Sequence, residues 1–295
     1  MKEIIEFRIF DDYYHLLSKP NNAVFNGAAY VIKVEKGDPI FEEIKQLSRE
    51  VKQKYNKYFF GYSNIKRHYS KKELAVAELL QMKIRTTFEP SGEECGTLYD
   101  ETEACEICGA NRKQISPLIL KKGSIPKKDI ARTIAGEIVV SEKFAEVIKQ
   151  RNSKGIELES VLFDKGVSNY YQLIASSPEL MLTDKTIAGG DIFDLGPDGS
   201  DEYEFIVSGG HKVKFEKEVY RCPKGHIIGL NLLSEPYVTD SPFIKEFDFF
   251  ASKQKIGVKR GLLRPEPVYF CSQAFRKMTE EEMLTGFEFE IANIE

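Results

Sequence analysis

The sequence predicts an α+β fold on a mixed sheet, with two related β-α-β units and an inserted zinc ribbon assembled from two distant segments. Three observations predict it: β-branched and aromatic strand segments that alternate with short helical stripes, an internal repeat at a constant offset of 131 residues, and two cysteine-bearing Gly turns far apart in the chain. At 295 residues, 42% hydrophobic and 30% charged, the composition is that of an ordinary globular chain of about two domains. A chain this long buries roughly three quarters of its unfolded surface, so its core needs no disulfide or metal, and any metal serves a local purpose. The 42 basic and 46 acidic side chains leave a formal charge of -4, with no global pull towards nucleic acid or an anionic membrane. No apolar run reaches the ~20 residues of a membrane helix. The opening Met1-Lys2-Glu3-Ile4-Ile5-Glu6 carries acids where a signal peptide is basic and then apolar, so a cytoplasmic location is expected.

The N-terminal α/β region is expected over 1–94, with strands from Ile4 to Phe10 and from Ala28 to Val34. Between Lys45 and Lys72 nine Lys or Arg face the single acid Glu50, interleaved with Tyr55, Tyr58, Phe59, Phe60, Tyr62 and Tyr69. Such a stretch can track a phosphate backbone. It also suits a solvated helix followed by a half-buried strand from Tyr58 to Tyr62, the favoured reading in an acidic chain. Ser70 and Glu73 have the spacing of a capping box, and the apolar stripe behind them predicts a helix from Lys71 to Lys83. Ile84 to Phe88 reads as a strand that Pro90-Ser91-Gly92 ends.

The repeat sets Val139-Val140-Ser141-Glu142-Lys143-Phe144 over Phe270-Cys271-Ser272-Gln273-Ala274-Phe275, and Gly155-Ile156-Glu157-Leu158-Glu159 over Gly286-Phe287-Glu288-Phe289-Glu290. Each copy reads as a strand, a helix capped by Ser141 or Ser272, a Gly turn and a second strand with Glu on its outer face. The duplicated units are expected over 136–204 and 236–295. Gly-rich turns between them punctuate the strand candidates Glu204 to Val207 and Lys212 to Phe215, and the acids Asp191, Asp194, Asp198, Asp201 and Glu202 do not match a calcium-loop pattern.

The ribbon region is expected over 95–135 and 205–235. Cys105-Glu106-Ile107-Cys108-Gly109 has the form of a zinc knuckle, in which two thiolates from one tight turn reach a Zn²⁺. Cys222-Pro223-Lys224-Gly225-His226 offers a thiolate and an imidazole, with 113 residues between the halves. The metal-ligand set is Cys105, Cys108, Cys222 and His226, with Cys95 or His211 as alternative ligands. Four protein ligands leave no open position, so the zinc is structural. The acidic run Asp100-Glu101-Thr102-Glu103 raises thiol pKa values and so argues against a redox pair. Cys271, aligned with Val140, reads as a buried apolar thiol. His15, His68 and His211 stand at no catalytic spacing, and no hydrolase, metalloprotease, P-loop or dinucleotide motif is present. No catalytic residue is expected.

The 139–144 and 155–158 segments resemble a unit of bacterial immunity-type families of polymorphic toxin systems. The Cys105 knuckle with the later Cys222 turn is similar to the double-CxxCG proteins, which join such a zinc ribbon to the same kind of β-α-β unit. The resemblance covers residues 95–163 and 220–295 and departs from the pattern at the second knuckle, where His226 replaces the expected C-x-x-C-G. It implies a small bacterial cytoplasmic protein that binds a protein partner such as a toxin, with structural zinc and no catalysis. The alternatives are a nucleic-acid-binding zinc-ribbon protein that uses Lys45 to Lys72 and Lys121 to Arg132, and a hydrolase with an unrecognised site.

Overall fold

A computed structural model describes residues 1–18, 23–164, 166–189, 192–194, 203–206, 212–215, 226, 231–257, 259 and 261–295. Strand β1 (Lys2–Phe10) buries Ile5, Phe7 and Ile9 on one face. It is followed by helix α1 (Asp11–Tyr14), β2 (Val24–Phe25), β3 (Ala29–Glu35), helix α2 (Pro39–Tyr55) and β4 (Phe60–His68). The four strands form an antiparallel sheet in the order β2-β3-β1-β4. Helix α2 begins where the Asp38 carboxylate accepts from the Ile40 amide at 2.9 Å, with Pro39 in the first turn, and ends at Asn56 in the left-handed region. Phe41, Ile44 and Val51 face the sheet, and the Phe193 ring stacks on Phe7 at 5.6 Å. Of the basic stretch, Arg49, Lys54, Lys57, Lys66, Lys71 and Lys72 are exposed, whereas Arg67 is buried.

The capping box at Ser70 and Glu73 forms, but helix α3 spans only Lys71–Val76. The second half of the expected helix, and part of the strand expected from Ile84, is instead strand β5 (Leu79–Ile84). Leu79 to Met82 are all buried because β5 is the central strand of a five-stranded sheet covered on both faces. A run of that kind lacks strand alternation, and its Leu, Met and Lys residues favour helix locally, so tertiary pairing overrides propensity. Next come β6 (Thr87–Phe88) and the two-stranded hairpin of β7 (Tyr99–Asp100) and β8 (Lys113–Gln114). The first repeat unit follows as β9 (Ile130–Thr133), β10 (Ile138–Ser141), helix α4 (Glu142–Arg151), β11 (Ile156–Phe163) and β12 (Gly166–Ala175).

The insertion contains β13 (Ala188–Gly189), β14 (Tyr203–Ile206), β15 (Lys212–Phe215), β16 (Asn231–Leu232) and β17 (Tyr237–Val238). Strands β14 and β15 pair as an antiparallel hairpin at the two segments expected as strands. Asp191, Asp198, Asp201 and Glu202 lie outside the described residues. The chain ends with β18 (Phe249–Ile256), β19 (Glu266–Ser272), helix α5 (Gln273–Glu281) and β20 (Phe287–Ile294). The fold is α+β with mixed sheets, since β6 runs parallel to β9 and β17 parallel to β20 in otherwise antiparallel sheets. No helix among the described residues is long and apolar enough to cross a membrane.

The two related units extend well beyond their β-α-β cores. One sheet has the order β11-β12-β10-β9 and the other β20-β5-β19-β18, each with one further strand at an edge. Gln172 of β12 lies between Val139 and Glu159, and Gln81 of β5 lies between the repeat-equivalent Phe270 and Glu290. The middle strand of the first unit therefore follows its last strand directly, whereas that of the second unit comes from far upstream, before the first unit begins. The same four-strand arrangement is built with a permuted chain order.

The units also grip each other reciprocally. Asp129 accepts from the Ser141 hydroxyl at 2.9 Å and from the Thr285 amide of the other unit at 2.8 Å. Asp248 accepts from the Ser272 hydroxyl at 2.9 Å and from the Lys154 amide at 2.9 Å. Ser141 and Ser272 in turn cap their helices through the amides of Phe144 and Phe275. Phe144 and Phe275 lie 6.4 Å apart in the core that both units share.

Gly155 and Gly286 have φ of 89° and 111°, and an added Cβ would stand 2.4 Å from the Phe249 carbonyl oxygen or 2.3 Å from that of Ile130. Gly123, with φ of 87°, has open space around its Cβ position. Gly155→Ala and Gly286→Ala should each destabilise the protein by about 2–4 kcal/mol in urea unfolding, through strain plus overpacking. Gly123→Ala should cost only about 1 kcal/mol. Equal losses at all three positions would contradict the close-approach account.

A buried ion network fastens the N-terminal sheet to the second unit. The Arg67 guanidinium meets Glu3 at 2.9 Å, Glu290 at 3.1 Å and the Leu233 carbonyl at 2.8 Å, while Lys83 reaches Glu290 at 2.7 Å. The Arg67 side chain is 1% exposed. Arg67→Ala should cost about 3–5 kcal/mol, because it leaves two carboxylates short of a partner in a buried setting. Thermal or urea unfolding measures it, and a loss below about 1 kcal/mol, the range of a surface pair, would overturn the assignment.

Candidate metal centre

The hairpin β7–β8 projects a loop whose turns follow from its sequence. Asp100 accepts from the Thr102 amide at 2.8 Å, and the Glu101 carbonyl accepts from the Ala104 amide at 3.0 Å. The knuckle then closes on itself, the Cys105 amide donating to the Ala110 carbonyl and the Gly109 amide to the Cys105 carbonyl, both at 2.7 Å. Gly109 takes φ of 76°, and its Cβ position is filled by Lys259, so the turn needs glycine twice over. Both cysteines are buried.

His226 reaches this knuckle from 118 residues further along the chain. Its Nδ1 lies 3.4 Å from the Cys108 sulfur. The ligating atoms of Cys105, Cys108 and His226 all lie within 4.8 Å of one another, close enough to bind one metal ion. A tetrahedral ion with the usual Zn–S and Zn–N bond lengths sets its sulfur and nitrogen ligands about 3.6 Å apart, so the Cys108–His226 edge fits. Among the expected ligands, Cys222 lies outside the described residues, as does His211. Cys95 is not part of the cluster, and burial pushes its thiol up. Cys271 is buried in β19, where burial raises its thiol strongly. His15 and His68 are exposed.

Supporting residues that carry no sequence signal complete the site. The Asn111 amide nitrogen is 3.3 Å from His226 Nε2. With Nδ1 on a metal ion, Nε2 would carry the ring proton, and the Asn111 side-chain oxygen, turned to the ring, would accept it. The Lys259 amide donates to the Cys108 carbonyl at 2.9 Å, and its ammonium meets Glu101 at 2.8 Å, which straps the loop after β18 over the knuckle. The Arg112 guanidinium stacks on Tyr99 at 3.5 Å from the ring centroid. The Tyr99 hydroxyl donates to Glu137, whose other oxygen is held by the Thr133 hydroxyl. Burial pushes the Glu137 carboxyl up.

Comparison of the chain with protein-family models and with curated proteins finds no match.

Purified protein should carry about one metal ion per chain by elemental analysis. Cys108→Ser and His226→Ala should each empty the site. Asn111→Ala should keep the ligands but weaken metal affinity roughly 10- to 100-fold in competition with a chromogenic chelator. Unchanged affinity in Asn111→Ala would remove that residue from the site's support.

Proposed function

We propose that this chain is a non-catalytic protein-binding protein of the immunity type, in which a zinc ion serves as an internal staple. The observation that carries the reading is the Cys105–Cys108–His226 cluster, formed by chain segments more than a hundred residues apart and buried against a strapped hairpin. With Cys222 as fourth ligand, the coordination shell is closed and leaves no position for water or substrate. The thiolates and imidazole suit zinc better than a hard cation. The likeness of the knuckle and of the repeated unit to double-CxxCG and immunity-type proteins supplies the partner class, a bacterial toxin in the same cytoplasm.

A second reading, nucleic-acid binding, draws on the exposed Arg49, Lys54 and Lys57 beside the exposed Tyr55 and Tyr58. One experiment separates the two. Tagged protein is recovered from its host, and the captured partner is purified and recombined with it. A stoichiometric complex that survives 0.5 M salt supports the protein-binding reading. Recovery of RNA or DNA alone, with heparin retention that falls steeply as salt rises, overturns it in favour of the second. Zinc removal by a chelator should lower the melting temperature by several degrees, and an unchanged melting curve would contradict the staple role.

A further inference from the structure

The repeat relates two clefts as well as two units. One, of about 180 Å³, is lined by Ala135, Gly136, Glu137 and Gln172. The other, of about 300 Å³, is lined by Glu266, Pro267, Val268 and Gln81, which hold the same four positions in the second unit. It opens where two strands part. β5 and β19 pair only through Leu79, Leu80 and Gln81, although β5 runs on to Ile84 and β19 starts at Glu266.

The two clefts differ in what covers them. In the first unit the hairpin β7–β8 of this same chain lies over those positions: Gln114 exchanges amide hydrogen bonds with Gln172 at 2.9 and 2.7 Å, and Tyr99 donates to Glu137. In the second unit the Gln81 carboxamide makes no hydrogen bond among the described residues. Its oxygen is sealed from solvent but its nitrogen is not, so Nε2 is the end open to the cleft. Every charge on the walls is matched inside the protein. Lys83 meets Glu290 at 2.7 Å, Arg132 meets Glu266, and Arg264 shares the Glu93 carboxylate with Arg112 at 2.8 Å each. Leu232, Ile256 and Leu263 add an apolar wall, of which Leu263 is 38% exposed.

We propose that the second cleft is a docking slot for an extended, uncharged peptide segment of a protein partner, which presents a Gln or Asn side chain to Gln81 and lays an apolar residue on Leu263. The chain's own hairpin supplies the chemistry, because the equivalent positions of the first unit already hold such a segment through Gln114. The Gln81 Nε2–H donates to the incoming amide oxygen, as Gln172 Nε2 does to Gln114 at 2.7 Å. A charged side chain would find no unpaired counter-ion on these walls, and its burial costs far more than that of a hydrogen-bonded amide. The parted strands offer backbone edges of the kind to which extended peptides add. The inference rests on the protein-binding reading and deepens it, by naming the surface and the feature of the partner that it accepts.

The probe is an acetylated and amidated peptide with the sequence of residues 114–118, titrated into the full-length protein and followed by NMR chemical shifts. Saturable binding is expected at or below about 5 mM, the range of a short peptide held by one hydrogen bond and a few apolar contacts. Gln81→Leu in the protein, or Gln114→Leu in the peptide, should weaken it about three- to ten-fold, the contribution of one hydrogen bond. Leu263→Asp should weaken it about ten-fold or more, with circular dichroism to confirm that the variant folds. Leu263→Ser serves where Leu263→Asp does not fold. Absence of saturable binding, equal binding of the Gln114→Leu peptide, or unchanged affinity in a folded Leu263 variant overturns the proposal. So does binding that is lost in Gln172→Leu but kept in Gln81→Leu, which would place the peptide on the first unit. None of these results touches the protein-binding reading, which fails separately when capture from the host yields nucleic acid alone.

Discussion

Asp129 and Asp248 are the joints on which the larger part of the molecule turns. Each aspartate fixes the serine that caps its own unit's helix and the turn amide that starts the other unit's last strand. The backbone follows the same reciprocity, since the Ile130 amide donates to the Thr285 carbonyl and the Phe249 amide to the Lys154 carbonyl, both at 3.2 Å. A charged acceptor with two backbone or hydroxyl donors is among the stronger hydrogen-bond arrangements a protein can make. Each helix cap is therefore made within its own unit, while the turn before each unit's last strand is held by an aspartate of the other. The shared aromatic core around Phe144 and Phe275 then fills the space that the joints define.

On that symmetric base the two sheets have acquired different neighbours. Gln172 meets Gln114 of the hairpin in a reciprocal amide pair, at 2.9 and 2.7 Å. Its counterpart Gln81 is buried, and its Oε1 has no hydrogen-bond partner among the described residues. Glu159 is exposed, while its counterpart Glu290 is 4% exposed and bound by Arg67 and Lys83. One sheet has thereby become the platform for the cysteine hairpin, and the other the platform for the N-terminal sheet. The repeated strand arrangement supplies the scaffold, and the departures from symmetry supply the surface on which the Cys105–Cys108–His226 cluster is built.

The helix expected from Lys71 to Lys83 shows where local patterning loses to topology. Its capping box and first turn are real, but Leu79 to Met82 pair with β19 and β20, segments about two hundred residues away. The permuted strand order was likewise hidden, because β5 and β12 share Gln81 and Gln172 at one register and little other sequence. Asn111 and Lys259 beside the knuckle, and the paired orientation of Arg112 and Arg264, depend on chain segments that meet only in three dimensions.

The sequence by itself determined the elements whose cause is local: the alternating strands β1 and β3, the serine caps at Ser141 and Ser272, the glycines at Gly155 and Gly286, and the Cys105–Cys108 turn. Each depends on residues within about one helical turn or one hairpin, where spacing alone carries the physics. Tertiary structure decided that β5 completes the second unit, that Arg67 and Glu290 are buried, and that His226 meets the knuckle. Those outcomes depend on which distant surface covers a given side chain, and the same Glu at position 159 or 290 has no local feature that distinguishes solvent from a buried arginine.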